Sequence, residues 1–270
     1  MAVLVIYYSG TGNTRFACEV VRRVMESAGN AVTMKTYAET DPRDLHGYDF
    51  YCFGAPVYEW APARNVERFI SRMQALSGKP AIVVTTSAGM IGQANNLLAR
   101  MLEDKGLRVL GDFNLVCPDS WGGTRRWSYR LDGRMPRAEN VKALKEFTER
   151  MAGTAVDCLA GRKCDTPEYR VRKSGLYWAS RASRTAPRPW LKMGRKKVDR
   201  SSCTNCGQCA EGCPSEAISL DPYPLFADNC ISCWRCINTC PTDSITCTFD
   251  SGHHYKGITR KDERLRDAGL

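Results

Sequence analysis

Eight cysteines repeat one spacing, and no other feature of the chain restricts local folding as tightly. Cys203-x2-Cys206-x2-Cys209-x3-Cys213-Pro214 recurs 27 residues later as Cys230-x2-Cys233-x2-Cys236-x3-Cys240-Pro241. The match runs past the cysteines, Ser215-Glu216-Ala217-Ile218-Ser219 aligning with Thr242-Asp243-Ser244-Ile245-Thr246, so a single folding unit is duplicated. Three thiolates at intervals of three residues wrap a tight loop around a cuboidal cluster, while the fourth lies too far along the chain to close on it and serves the other cluster. The expected ligand sets are Cys203, Cys206, Cys209 and Cys240 for cluster one, and Cys230, Cys233, Cys236 and Cys213 for cluster two. Structural zinc would use a C-x2-C pair, a long gap and a second pair; three cysteines crowded into each loop favour two [4Fe-4S] clusters.

Residues 198–248, with both prolines and the Ala217-Ile218 packing positions, resemble the bacterial two-cluster ferredoxins. The resemblance implies a small α+β domain that carries single electrons at low potential. The other six of the fourteen cysteines, Cys18, Cys52, Cys117, Cys158, Cys164 and Cys247, are scattered and are expected to be small buried or incidental residues. Clustered cysteines suit metal ligation in a reducing cytosol better than a disulfide framework. No apolar run is long enough to span a membrane, and Met1-Ala2-Val3-Leu4-Val5-Ile6 has no basic region before its apolar stretch, so a cytoplasmic location is expected.

The chain of 270 residues has ordinary globular composition, 43% hydrophobic and 25% charged. Residues 1–160 alternate strand-like and helix-like patterns, which predicts an α/β domain with a doubly wound, five-stranded parallel sheet. Val3 to Tyr8 is a continuous apolar run, as expected of a strand buried on both faces. Further strands read at Ala31–Thr36, Asp49–Gly54, Ala81–Ser87 and Leu107–Cys117, with helices near Ala63–Leu76, Gly92–Asp104 and Arg137–Ala152.

Between the first strand and first helix lies Ser9-Gly10-Thr11-Gly12-Asn13-Thr14, where backbone N–H groups and the positive end of a helix can hold a phosphate. The loop lacks the Gly-Lys-Ser/Thr ending of nucleotide triphosphatases, and Arg15 stands where a dinucleotide fingerprint needs its third glycine. The hydroxyl-rich loop resembles the FMN-phosphate loop of the flavodoxins, and the five strands agree with that family's sheet. The resemblance covers residues 1–155 and implies FMN as cofactor. Gly54-Ala55-Pro56-Val57-Tyr58-Glu59-Trp60 then resembles the flavodoxin loop that lays an aromatic ring on one flavin face, implicating Pro56, Val57 and either Tyr58 or Trp60. Thr86, Ser87, Ala88 and Gly89, in the loop ending at Met90, would serve the isoalloxazine edge. Flavodoxins typically carry a tyrosine and acidic residues there; this chain does not, so a less covered flavin face and a less depressed hydroquinone potential are expected. Trp121, Arg125, Arg126, Trp127 and Tyr129, in the loop Pro118–Pro136, are candidates to cap the pocket.

Residues 161–198 are expected to be a basic linker and 249–270 a polar tail in which His253 and His254 are exposed. Between 161 and 200 stand thirteen Lys or Arg against three acids, which is the whole formal excess of +10. A solvated segment docking acidic partners or the chain's own domains is the expectation. No nucleic-acid-binding fold accompanies the charge, which argues against nucleic acid; Trp178, Trp190 and Leu191 among the cations leave peripheral membrane contact as an alternative.

The two halves together resemble flavodoxin/ferredoxin fusion proteins. FMN exchanges electrons singly or in pairs and a cluster passes one, so the expected function is electron transfer between FMN and the two clusters and on to a redox partner protein, a ferredoxin or oxidoreductase, with the direction of flow left open. The alternative is a flavin-dependent reductase of an organic substrate, or an NAD(P)H/ferredoxin oxidoreductase, fed by its own clusters. Tyr58, Glu59 and Asp119 are the only acid candidates near the flavin, which favours electron transfer without a catalytic residue of the chain's own.

Overall fold

The apolar run at the N-terminus forms β1 (Ala2–Tyr7), and its alternation sends Val3 and Val5 to one face of a sheet and Leu4 and Ile6 to the other. Both faces are covered, so all four are buried. The computed structural model describes residues 1–122, 135–185, 194–250, 252 and 254–258. The main sheet has the order β2 (Ala31–Thr36), β1, β3 (Phe50–Tyr58), β5 (Pro80–Ser87), β6 (Arg108–Val116), all paired in parallel. β4 (Ala61–Pro62) folds back antiparallel on β3, a hairpin that the pattern of apolar residues does not announce.

α2 (Arg64–Arg72) and α3 (Ala94–Glu103) pack Val66, Phe69, Ile70, Leu98 and Leu102 on the face that carries Leu4, Tyr51, Phe53 and Val83. α1 (Asn13–Ser27) and α4 (Ala138–Leu159) cover the opposite face, setting Phe16, Val20, Val21, Leu144 and Phe147 against Val3, Val5, Phe50 and Ile82. This is the doubly wound arrangement expected. Its strand order reverses at β1, which places the crevice at the carboxyl ends of β1 and β3.

α4 runs two turns beyond its predicted end, and there the expectation for two cysteines is corrected. Cys158, in the last turn, and Cys164 form a disulfide. The left-handed turn at Gly161 brings their Cα atoms to 5.4 Å, within bridging range. Cys18, Cys52, Cys117 and Cys247 are buried, as expected.

The basic segment is partly folded onto the first domain. Tyr169 joins the core on the face of the sheet covered by α2 and α3, and α5 (Gly175–Thr185) follows. From α5, Ser180 Oγ donates to Glu59 O at 2.5 Å, and Arg184 pairs with Glu67 and donates to Pro62 O at 3.1 Å. Trp178 is exposed; Trp190 and Leu191 lie outside the described residues.

The second unit comprises β7 (Lys196–Val198), α6 (Gln208–Glu211), β8 (Ile218–Asp221), β9 (Tyr223–Phe226), α7 (Arg235–Asn238) and β10 (Ile245–Cys247). β7 pairs antiparallel with β10 and β8 with β9, so the end of the basic segment is the first strand of this unit. Its core is small: Trp234, Ile237 and Ile245 pack with Cys236, Cys240 and Cys247.

Candidate functional site

α1 begins at Asn13 with Gly12 as its N-cap, at φ 96°, and neither a capping side chain nor an acidic residue stands in its first turn. The leading N–H groups and the positive helix end are therefore available to an anion. Ser9 Oγ accepts from the Gly12 N–H at 3.0 Å and shapes the loop. Thr14 Oγ1 and Thr86 Oγ1 lie 2.7 Å apart, locking this loop to the one after β5. The Asn13 side chain ties the loop to its surroundings: its Nδ2 donates to Pro118 O at 3.1 Å, and its Oδ1 accepts from the Tyr255 hydroxyl at 2.7 Å.

These loops open on a cavity of about 310 Å³, at the lower end of the usual size of a small-molecule site. Ser9, Gly10, Thr11, Asn13 and Thr14 line it, as do Pro56, Val57, Tyr58, Trp60, Thr86, Ser87 and Ala88. Gly12 instead faces the neighbouring groove, and Gly89 serves the loop by donating its N–H to Ser87 Oγ at 3.1 Å. Glu59 and Trp60, both left-handed at φ 53° and 62°, form the two-residue turn between β3 and β4 that holds Trp60 at the rim. Trp121 also lines the cavity, with Glu59, Met90 and Asp119; Arg125, Arg126, Trp127 and Tyr129 lie outside the described residues. Aromatic walls beside an uncapped helix N-terminus and a row of hydroxyls fit an aromatic ring that carries a phosphate. An added Cβ at Gly10 would stand 2.6 Å from the Tyr58 hydroxyl, so a larger residue there would require the Tyr58 ring to shift.

The remaining wall comes from the second unit. Ser232, Cys233 and Trp234 line the same cavity, as does Ser183 of α5. Arg235 Nη1 donates to Ser9 O at 3.2 Å and Gly10 O at 2.7 Å, clamping the second cysteine loop onto the phosphate loop. Burial, the nearby Cys233 sulfur and each other's presence push the Tyr8 hydroxyl well above its ordinary pKa; burial, foremost, does the same for Tyr58. Both phenols are therefore neutral.

The eight motif cysteines surround two small cavities. Cys203, Cys206, Cys209 and Cys240 line one; Cys213, Cys230, Cys233 and Cys236 line the other, which Cys209 lines as well. Each set draws three sulfurs from one motif and the fourth from the other, and four thiols around a closed space fit a cluster. Among the described residues no three His, Cys, Asp or Glu side chains converge as ligands of a single ion.

The two surroundings differ. Lys196 Nζ donates to Cys230 Sγ at 3.2 Å and sits 5.8 Å from the centre of the Phe226 ring. Burial alone would lower its pKa, but the Cys230, Cys236 and Cys233 sulfurs outweigh this and hold it raised, so the ammonium persists. Burial pushes the Cys236 thiol far up. It acts upward on Cys240 too, yet the Ser244 and Thr242 hydroxyls bring that thiol down to about 7. Cys206, in the first loop, is exposed.

The described part of the tail packs against the site, a contact that sequence reasoning missed. Tyr255 donates its N–H to Asn238 Oδ1 at 2.9 Å and its hydroxyl to Asn13, so it joins α7 to the start of α1. Gly257 presses on the phosphate loop so closely that a Cβ would fall 1.8 Å from Thr11 O. His254 is not the exposed residue expected: its ring bridges Asp243 at 2.7 Å and Asp250 at 2.9 Å, because the chain turns back across the second unit. His253 lies outside the described residues.

Comparison with known proteins agrees with both units. A family model for a flavodoxin domain matches residues 4–117, and one for a 4Fe-4S binding domain matches residues 196–219 and 223–246. Similar solved structures include oxidised flavodoxin 1 from Bacillus cereus, at 20% identity over 57% of this chain and 98% of that one, with a TM-score of 0.45. Two-electron reduced Megasphaera elsdenii flavodoxin is 22% identical over 56% and 98%, with a TM-score of 0.43. The Streptococcus pneumonia TIGR4 flavodoxin is 17% identical over 57% and 99%, with a TM-score of 0.45. No curated protein matches the chain. The chain thus joins a flavodoxin domain to a 4Fe-4S ferredoxin domain, a flavodoxin/ferredoxin fusion whose two halves support electron transfer by flavin and iron-sulfur.

Proposed function

We propose that the chain is an electron-transfer protein that holds FMN in the cavity at the carboxyl ends of β1 and β3 and two [4Fe-4S] clusters in the cysteine loops, and exchanges electrons between them and a redox partner protein. The observation that carries the reading is the shared wall: Ser232, Cys233 and Trp234 of the second cysteine loop line the cavity bounded by the phosphate loop. FMN exchanges one or two electrons and each cluster one, so the pair converts between the two kinds of traffic.

Within this reading the α1 N-terminus and the hydroxyls of Ser9, Thr11 and Thr14 hold the phosphate, and Tyr58 and Trp60 flank the ring. Thr86, Ser87 and Ala88 border it. Cys213, Cys230, Cys233 and Cys236 hold the inner cluster, against the flavin cavity. Cys203, Cys206, Cys209 and Cys240 hold the outer one. The exposed Cys206, with exposed Leu220 and Leu225 on the β8–β9 hairpin, supports the first loop as the face offered to a partner. No helix among the described residues is long and apolar enough to cross a membrane, and we place the chain's work in the cytoplasm.

The test is the composition of protein purified and reconstituted without oxygen. One FMN per chain with iron and sulfide for two clusters is expected; protein that takes up neither iron nor flavin would overturn the reading. Mixing with NADPH separates the alternative, since rapid, saturable flavin bleaching would make the chain a reductase.

A further inference from the structure

The two cysteine loops are copies, and at one position they diverge against the preference of the backbone. Gly207, between Cys206 and Gln208, has φ 77°; its counterpart Trp234, between Cys233 and Arg235, has φ 57°. Left-handed backbone is open to glycine and strained for a bulky side chain, so tryptophan in the second loop is held there against a steric penalty. Such strain points to a task for the side chain.

The position of the indole says what that task is. Trp234 is 1% exposed and lines two cavities at once, the one formed by the phosphate loop with Tyr58 and Trp60, and the one enclosed by Cys213, Cys230, Cys233 and Cys236. Its Nε1 has no hydrogen-bond partner among the described residues, although a buried indole ordinarily finds one. The loop Thr86 to Met90 brings no aromatic ring of its own to the cavity.

We infer that Trp234 is the aromatic wall with which the iron-sulfur unit closes the FMN cavity, so that flavin affinity depends on a residue of the other domain. The inference rests on the reading of that cavity as the FMN site. It also revises the expectation of a less covered flavin face: the ring arrives from about 145 residues further along the chain, on a loop clamped in place by Arg235.

The test uses the full chain, stripped of flavin and titrated with FMN while flavin fluorescence is followed. Trp234→Phe keeps a ring and Trp234→Leu keeps apolar bulk, and both carry the same backbone strain. Phe is expected to bind within about threefold of the unaltered chain. Leu is expected to bind about tenfold or more weakly, with brighter bound flavin, as loss of an aromatic contact predicts. Iron and sulfide content equal to the unaltered chain checks that the loop is formed in each variant. Equal affinity and equal quenching in the Leu variant would overturn the inference, as would equal losses in Phe and Leu. Failure of the unaltered chain to bind FMN would instead overturn the reading of the cavity, a distinguishable result.

Discussion

The first cysteine loop faces outward and the second is sealed against another domain, although both descend from one unit. In the first, Cys206 is exposed and the residues between cysteines are Thr204, Asn205, Gly207 and Gln208. In the second the corresponding residues are Ile231, Ser232, Trp234 and Arg235; Ile231, Ser232 and Trp234 are buried, and Arg235 reaches the Ser9 and Gly10 carbonyls. The charges differ as well, with an ammonium on Cys230 and hydroxyls on Cys240. The spacing of the thiolates is kept for the metal, and the residues between them are reassigned, on one side to solvent and on the other to the flavodoxin domain.

Removing the metal should separate the two units most completely. The second unit buries little apolar surface besides its cysteines, whereas the flavodoxin domain has a core on both faces of its sheet. Chelation of iron is expected to unfold residues 196–250 while residues 1–117 stay protected in hydrogen exchange, since a site formed by folding ties metal affinity to stability. Uniform protection of both units after iron loss would contradict this.

Next in size is the crossed ligation. Cys213→Ala, though in the first motif, should abolish the cluster of the second loop and leave the other, halving the iron; Cys240→Ala should do the converse. Mössbauer or EPR signals of the surviving cluster distinguish the two, and loss of the same cluster in both variants would refute the crossing.

Smaller still is the charge asymmetry. Lys196→Met removes a charge-assisted bond to Cys230, a class of interaction that contributes about 1.5–3 kcal/mol. The reduction potential of the inner cluster should fall, because the ammonium favours the more negative, reduced state, while the outer cluster stays within error. A redox titration followed by EPR reads both, and equal shifts in the two would deny Lys196 a local role.

How much of this could be read from the chain follows from the range of the interactions. The buried strands were legible because Val3 to Ile6, Phe50 to Phe53 and Ala81 to Val84 are apolar on both faces, a local pattern, while their order in the sheet came only from the resemblance to the flavodoxins. The phosphate loop and the cysteine spacing were legible for the same local reason. What escaped was docking. Trp234, Arg235 and Tyr255 meet the phosphate loop across more than 200 residues, and nothing near them in the chain announces the partner. The one available signal was the mismatch of Trp234 with Gly207, visible once the duplicated halves are laid together. The Cys158–Cys164 disulfide escaped because it depends on how far α4 continues, and the pattern of apolar residues fades before its end.

The smallest expected effect concerns the tail. Burial alone would lower the His254 pKa, but its bonds to Asp243 and Asp250 hold it above the ordinary 6.5. A raised folded value means stabilisation that is full below pH 6.5 and lost as pH rises through the folded pKa. Proteolytic nicking near residue 250 should therefore increase with pH across that window, and His254→Gln should flatten the dependence. A profile unchanged by the substitution would show that His254 is not the pH-sensing group.

Flavin and clusters are expected to communicate within one chain, through the wall that Cys233 and Trp234 share with the phosphate loop. Flash photoreduction of the flavin in anaerobic holoprotein, with cluster absorbance followed over a range of protein concentrations, tests it most directly. Cluster bleaching at a rate independent of concentration is predicted; bleaching that slows in proportion to dilution, or none, would contradict it.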